Sequence, residues 1–184
     1  MHKVYLNIRV LLSSITVNPF RVTNSFMGVT GAMTPTKKTN DRKISKYLFK
    51  ITVVGPDDKL LMDVLSIFDD PVVSVDGIRI GSTEVDFDTS EVHAVFMSPR
   101  HSALDILLAL TYKGASGVII VLREPDPEIE TLYRNEIREN LGTEMPTRVV
   151  TIGSTMDKFK RTEIEHIFDD VVAEILERRT KKGK

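Results

Sequence analysis

Apolar and polar positions are distributed differently in two parts of this chain. Up to residue 45 the chain is rich in Thr, Ser, Asn and Lys. It has no sustained period there, apart from a short alternating run at 4–10 that is typical of a strand. From residue 46 onward apolar residues recur regularly. The pattern therefore predicts an irregular or disordered arm at 1–45, one domain at 46–180 and a short basic tail at 181–184.

Within the regular part, short apolar runs indicate strands, and apolar residues spaced three or four apart indicate helices. Helix boundaries are predicted from capping residues, from proline at a first turn and from glycine after a last turn. The first predicted elements are a strand at 49–54, a helix that begins after Asp57 or Asp58, and a hairpin of 83–88 and 92–97. They are followed by a helix that begins at a capping box of Ser102 and Asp105, a strand at 117–122 and a helix from Pro127 to Gly142. The last two are a strand at 148–152 and a helix that begins at a capping box of Thr162 and Glu165.

Strands that alternate with helices predict an α/β fold with a mostly parallel sheet. We expect about five strands, with the hairpin supplying one antiparallel edge strand. An Asp76-Gly77 pair between short apolar alternations predicts a further turn. Ligands of such sheets bind beyond the carboxyl ends of the strands, which here are Gly55, 97–101, 123–124 and 153–157.

Composition narrows the function classes. Of the 184 residues, 41% are hydrophobic and 28% charged, and the formal net charge is −1, which favours a globular domain and gives no overall attraction to nucleic acid. The absence of cysteine excludes disulfides, thiol catalysis and lipidation of a cysteine. No apolar stretch reaches the roughly 18 residues of a membrane span. We therefore expect a cytoplasmic protein without nucleic-acid partners or a stable membrane anchor.

Three segments carry a resemblance to a known family. The run Tyr112–Val121 resembles the Y-R-G-A-x-G-x-I-L-V segment of Rab-type small GTPases. Asp126–Glu128 resembles the D-x-E-S start of their next helix, and Tyr47–Lys50 resembles the Y-L-F-K of their first strand. The order of predicted elements is also that of a small GTPase. The resemblance implies a three-layer, P-loop-NTPase-like G domain, shortened at its C-terminal side.

The phosphate-binding motif of that family, G-x-x-x-x-G-K-[ST], falls on Gly55–Met62. Aligned without gaps, the second glycine, the lysine and the Mg²⁺-binding hydroxyl fall on Leu60, Leu61 and Met62. The proline within the run removes an N–H donor, and its two aspartates would repel a phosphate. Lys59 becomes the phosphate lysine only if two residues are missing from the loop. Gly55 and Lys59 are therefore nucleotide-binding candidates only if a nucleotide binds, and a capped strand-to-helix turn is the simpler interpretation.

Two other motifs of the family are only partly present in this sequence. The D-x-x-G segment falls on 97–101, where Pro99 and His101 match the D-x-P-G-H form of translational GTPases, whose histidine orients the attacking water. His101 is thus the catalytic candidate, with a loop or capping residue as the alternative. Of N-K-x-D, only Asp157 remains. It is either a guanine-binding residue or a helix cap. The interval after it is too short for the helix, strand and S-A-K loop of the family.

These observations favour a degenerate small-GTPase-like domain that acts as a regulatory or protein-interaction module with weak or no GTP binding. It would have a protein partner and need no cofactor or metal. The alternative is a divergent but active GTPase that binds GTP or GDP with Mg²⁺. A flavodoxin-like or receiver-type signalling domain is a third hypothesis, based on the acidic pair after the first strand. The sequence indicates no oligomeric state.

Met27 and Met33 lie within the irregular arm. We hypothesise that the native protein starts at one of them. An intact mass that includes Met1 or His2 would contradict this hypothesis.

Overall fold

The structure is a computed structural model that describes residues 45–68, 70–87, 90–100 and 104–182. The predicted arm, except for Ser45, lies outside the described residues, as do Met27, Met33, Ser102 and His101. The described elements are β1 (Ser45–Val54), α1 (Asp58–Leu65), β2 (Val73–Val75), β3 (Ile78–Phe87), β4 (Ser90–Pro99), α2 (Leu104–Tyr112), β5 (Gly117–Leu122), α3 (Pro127–Leu141), β6 (Thr147–Thr151) and α4 (Lys158–Lys182).

The strands form one six-stranded sheet in the order β2-β3-β4-β1-β5-β6. β1 pairs in parallel with β4 and β5, and β5 pairs in parallel with β6. β3 is antiparallel to both β2 and β4. The fold is therefore α/β with a mostly parallel sheet, as predicted. The predictions of about five strands and of one antiparallel edge strand are corrected, because β2 adds a sixth strand beside β3.

The additional strand β2 depends on the Asp76-Gly77 turn, which the sequence predicted. Both residues have positive φ, 49° at Asp76 and 84° at Gly77. This combination is typical of the tight hairpin turns that match the twist of antiparallel strands. The turn brings Val73 opposite Ile80 and Val75 opposite Ile78. A three-residue strand is too short to show a period of its own, which is why it was not predicted.

Each face of the sheet is covered by two helices. The apolar faces of α1 and α4 pack on one side, against alternate residues of β1 and β4 such as Phe49 and Phe96. On the other side, Leu108 and Tyr112 of α2 and Tyr133 of α3 pack against the remaining residues of β1 and against β5. The result is a three-layer arrangement in which β5 is buried on both faces, as its continuous apolar run predicts, and β1 is buried from Ile51 to Val54.

Helix boundaries follow their predicted signals at α3 but not at α4. Asp126 caps α3 by accepting hydrogen bonds from two backbone N–H groups, Pro127 opens it, and Gly142 ends it with a φ of 88°. The prediction that Thr162 opens the last helix is wrong. α4 begins at Lys158, because the Asp157 carboxylate accepts from the Lys160 N–H at 2.8 Å and extends the helix by a turn.

Of two further boundary predictions, the start of α1 is confirmed and the end of α4 is corrected. Asp57 is the N-cap of α1, one of the two residues predicted for that position. α4 continues to Lys182, so its helical backbone includes two residues of the predicted tail at 181–184.

None of the described helices combines the length and the apolar character that crossing a membrane requires.

Candidate functional site at the carboxyl end of the sheet

The parallel strands define where a ligand of this fold would bind. Their order, β4-β1-β5-β6, reverses direction at β1, because β4 lies on one side of it and β5 on the other. The helix that follows β1 covers one face of the sheet, and the helix that follows β5 covers the other. Open α/β sheets bind ligands at such a reversal, outside the carboxyl ends of the two strands. We call this place the switch-point crevice and define it by Gly55, Asp57, Asp58, Arg79 and Arg123.

Gly55 follows β1 and lies against the backbone of Val121 in β5. A Cβ atom built on Gly55 would lie 2.2 Å from the carbonyl oxygen of Val121, a distance that no real side-chain atom tolerates. Glycine is therefore required here by the neighbouring backbone. The family resemblance gave Gly55 a different role, that of opening a phosphate loop. The chain after it contains only Pro56 and Asp57 before α1 begins.

Asp57 accepts hydrogen bonds from backbone N–H groups at the start of α1. One carboxylate oxygen, Oδ1, accepts hydrogen bonds from the N–H groups of Lys59 at 2.9 Å and of Leu60 at 3.0 Å. The N–H groups of a helix N-terminus are the groups that bind phosphate in nucleotide sites. In this chain its own carboxylate takes the position of such an anion.

The same carboxylate joins the two sides of the crevice. Its second oxygen, Oδ2, accepts a hydrogen bond from Nη2 of Arg123, the residue that follows β5. This hydrogen bond, together with those from the backbone N–H groups, holds the pKa of Asp57 below its usual value. The Asp57 side chain is 30% exposed and that of Arg123 49% exposed, so the pair crosses the mouth of the crevice at its solvent-facing rim.

A second ion pair lies deeper. Arg79 of β3 donates from Nη2 to Oδ1 of Asp58 at 2.8 Å, and its side chain is only 6% exposed. Its other terminal nitrogen, Nη1, and Oγ of Ser98 are buried and have no hydrogen-bond partner among the described residues. Arg79 and Ser98 face each other across β3 and β4. Buried polar atoms of this kind commonly bind an ordered water molecule.

Two buried tyrosines lie on the face of the sheet that α2 and α3 cover. Burial raises the pKa of Tyr133 to about 12, and the charges of Glu136 and Asp58 act in the same direction. Burial also raises the pKa of Tyr112. Both phenols therefore stay neutral at physiological pH.

The structure describes three of the four residues proposed from the sequence. Lys59 lies exposed in the first turn of α1, close to Gly55 along the chain. Asp157 lies beyond β6, which is separated from β1 by β5. Its carboxylate and its carbonyl accept hydrogen bonds from the N–H groups of Lys160 and Arg161, which is the capping role considered for it. His101 lies outside the described residues.

Sequence reasoning missed both arginines of the crevice. Arg123 is separated from its partner Asp57 by 66 positions, so no local pattern connects them. Arg79 is separated from its partner Asp58 by 21 positions, so no local pattern connects this pair either. A buried arginine usually pairs with a carboxylate, but its burial is known only from the folded chain. The described residues contain no group of three His, Asp or Glu side chains arranged to hold a metal ion.

Comparison with known proteins adds no relative. No protein-family model matches the chain, and none of the curated proteins matches it.

Proposed function

We propose that this chain is a degenerate small-GTPase-like domain that acts as a regulatory or protein-interaction module, with little or no GTP binding. One observation carries the proposal. Asp57 fills the N-terminal donors of α1, where a phosphate would bind, and is held there by Arg123. A triphosphate would have to displace this carboxylate and would then approach Asp58 as well.

The order of elements supports the G-domain part of the proposal. Apart from the additional strand β2, the order is strand, helix, hairpin, helix, strand, helix, strand and final helix, as the family resemblance implies. The three segments that carry the resemblance, 47–50, 112–121 and 126–128, lie in β1, in the end of α2 and β5, and at the start of α3. They belong to the scaffold of strands and helices and include none of the residues that define the crevice.

The base-binding side supports the same proposal. The connection from β6 to α4 comprises only residues 152–157, so there is no room for the helix, strand and base-contacting loop that the family carries there. Asp157 serves as a cap, and its Oδ1 oxygen is already bonded to a backbone N–H. Phosphate and base contacts are therefore both replaced by internal contacts of the fold.

An equilibrium titration with fluorescent GTP and GDP in the presence of Mg²⁺ tests this proposal. We expect no saturable binding, and we expect Lys59→Ala and Asp157→Ala to behave like the parent chain. Tight, saturable binding that either substitution weakens would contradict the proposal and support the divergent GTPase. Slow GTP hydrolysis that disappears in His101→Ala would do the same.

A further inference from the structure

The strand β6 forms one edge of the sheet. Among the described residues no strand lies beyond it, since the sheet order ends at β6. Pro146 accepts from the Val118 N–H, and the Ile152 N–H donates to Leu122, so the even-numbered residues of this segment face β5. Successive residues of a strand direct their backbone groups to opposite sides. The N–H and C=O groups of Thr147, Val149 and Thr151 therefore point to the open edge.

An open cleft of about 370 Å³ lies at the beginning of this edge, against Thr147 and Arg148. Its lining comes from α3 on one face of the sheet, from α4 on the other face, and from β6 and the turn before it. The cleft therefore straddles the edge, where a further strand would lie, and its size is within the range of about 300–1,000 Å³ that ligand sites have. We call it the β6-edge cleft. The polar residues that define it are Arg134, Arg138, Thr143, Thr147, Arg148 and Glu174.

The charge of the β6-edge cleft is positive. Three of its lining residues are arginines and one is a carboxylate. That carboxylate, Glu174, is shared, since it accepts from Arg148 at 2.8 Å and from Arg178 at 2.7 Å. Arg138 donates to the neutral side-chain oxygen of Asn135 at 2.8 Å. Arg134 pairs with Glu130 at 2.6 Å, and Arg178 also lies 4.0 Å from Glu144. With these partners included, four arginines meet three glutamates, and the surplus positive charge is that of Arg138, which lies exposed to solvent.

One arginine also contacts the open backbone of the strand. Nη1 of Arg148 donates to the carbonyl oxygen of Thr147 at 3.2 Å, one of the groups that point to the free edge. Charged side chains at an edge hinder pairing with another strand of the same kind. Pairing of β6 with β6 of a second copy would bring the arginines of both copies together. An acidic strand, in contrast, would neutralise them.

We propose that the β6-edge cleft binds an extended acidic segment of a partner protein, which adds to the sheet as a strand beside β6. The outward backbone groups of Val149 and Thr151 pair with the backbone of the segment. Its carboxylates reach Arg134 and Arg138 on α3 and Arg148 on β6. This proposal does not depend on whether nucleotide binds at the switch-point crevice, because the two places share no residue.

Fluorescence polarisation with a short fluorescein-labelled peptide of alternating threonine and glutamate tests the proposal. We expect saturable binding that weakens as salt is raised. The matched peptide with glutamine in place of glutamate should bind at least about tenfold more weakly, because it lacks the charges. Peptides N-methylated at alternate residues, in either phase, keep the charges but lose donors. We expect the phase that faces β6 to lose binding by a similar factor.

Substitutions in the chain test whether the acidic peptide binds at the β6-edge cleft. Arg138 is exposed, so Arg138→Glu should fold normally and weaken binding of the acidic peptide by about tenfold or more. Arg161→Glu is the matched control, since Arg161 is exposed about 20 Å along α4 from Glu174 and should leave the affinity unchanged. The backbone amide resonances of Val149 and Thr151 should shift on binding.

Four results would overturn the proposal: no saturable binding of the acidic peptide, equal binding of the glutamine peptide, equal binding of both N-methylated peptides, or an unchanged affinity in Arg138→Glu. Equal binding of the N-methylated peptides would reduce the cleft to a charged surface without strand addition. None of these results bears on GTP binding, so failure here and failure of the proposed function are distinguishable.

Discussion

The switch-point crevice and the β6-edge cleft both contain arginines, but carboxylates neutralise those of the crevice more completely. In the crevice, Arg79 and Arg123 each pair with an aspartate at the start of α1. In the cleft, Arg134 pairs with Glu130 and Arg148 shares Glu174 with Arg178, whereas Arg138 donates to the neutral side chain of Asn135. The first arrangement satisfies its own charges and leaves little for a ligand. The second leaves positive charge beside an open strand edge, where a negatively charged partner can bind.

The close contact between Gly55 and the backbone of β5 is tested by the substitution with the largest expected effect on stability. Gly55→Ala places a Cβ against the Val121 carbonyl oxygen, and two paired backbones cannot separate cheaply. We expect the free energy of unfolding to fall by about 3 kcal/mol or more, measured by urea denaturation.

Gly81→Ala is the matched control for this substitution. A Cβ on Gly81 has its nearest neighbours at 3.9 Å, an ordinary contact distance. The stability of this variant should stay within about 1 kcal/mol of the parent. Equal effects at Gly55 and Gly81 would contradict the close approach of β1 and β5.

The two kinds of arginine should differ in their contribution to stability. Arg79→Ala removes a buried stem and one partner of the Asp58 pair, so we expect a loss of about 2 kcal/mol in the free energy of unfolding. Arg138→Ala, at the exposed cleft, should change it by less than about 0.5 kcal/mol. Similar losses in both variants would mean that the Arg79–Asp58 pair contributes no more to the free energy of unfolding than an exposed arginine of the cleft. That result would contradict the comparison.

Capping by Asp57 can be separated from its ion pair. Asp57→Ala removes the acceptor for two backbone N–H groups and should cost about 1 kcal/mol of stability by thermal unfolding. Asp57→Asn keeps a capping oxygen and loses the charge that pairs with Arg123, and we expect it to retain most of that stability. A full loss in the asparagine variant would assign the stabilisation to the ion pair instead.

These contrasts also indicate what the sequence could predict. Asp126, Pro127 and Gly142 gave the bounds of α3 correctly, because caps act within one turn of the helix. The start of α4 was predicted too late, because Asp157 and Thr162 both carry a capping signal and only the folded chain decides between them. The alternation of predicted strands and helices gave the α/β class, but the ion pairs across the crevice join residues far apart in sequence and could not be predicted from local patterns.

The β6-edge cleft was not predicted for the same reason. Arg134 and Arg138 are one turn apart on α3, which the sequence does indicate. Arg148 and Glu174 join them only because β6 is the last strand of the described sheet and α4 packs beside it. The edge itself follows from the short connection after β6, which the sequence did indicate, although its consequence for binding depends on the folded arrangement.

The smallest expected effect is a pH dependence of stability at the crevice. The pKa of Asp57 in the folded chain is below its ordinary value, chiefly because of the hydrogen bond from Arg123. Its stabilisation is therefore complete above the unfolded-state pKa and is lost as the pH falls through the lower folded-state value, below about pH 4. Since the pair is partly exposed, we expect less than about 1 kcal/mol. Denaturation midpoints at several acidic pH values should fall less in Asp57→Asn than in the parent chain; equal falls would contradict this assignment.

The central claim is that the chain's own carboxylates occupy the place of a phosphate in the switch-point crevice. The most direct measurement is to purify the protein without added nucleotide, denature it and chromatograph the supernatant. We predict that no guanine nucleotide is released. Release of GTP or GDP in an amount close to that of the protein would contradict the claim, because it would mean that the crevice opens to bind a nucleotide.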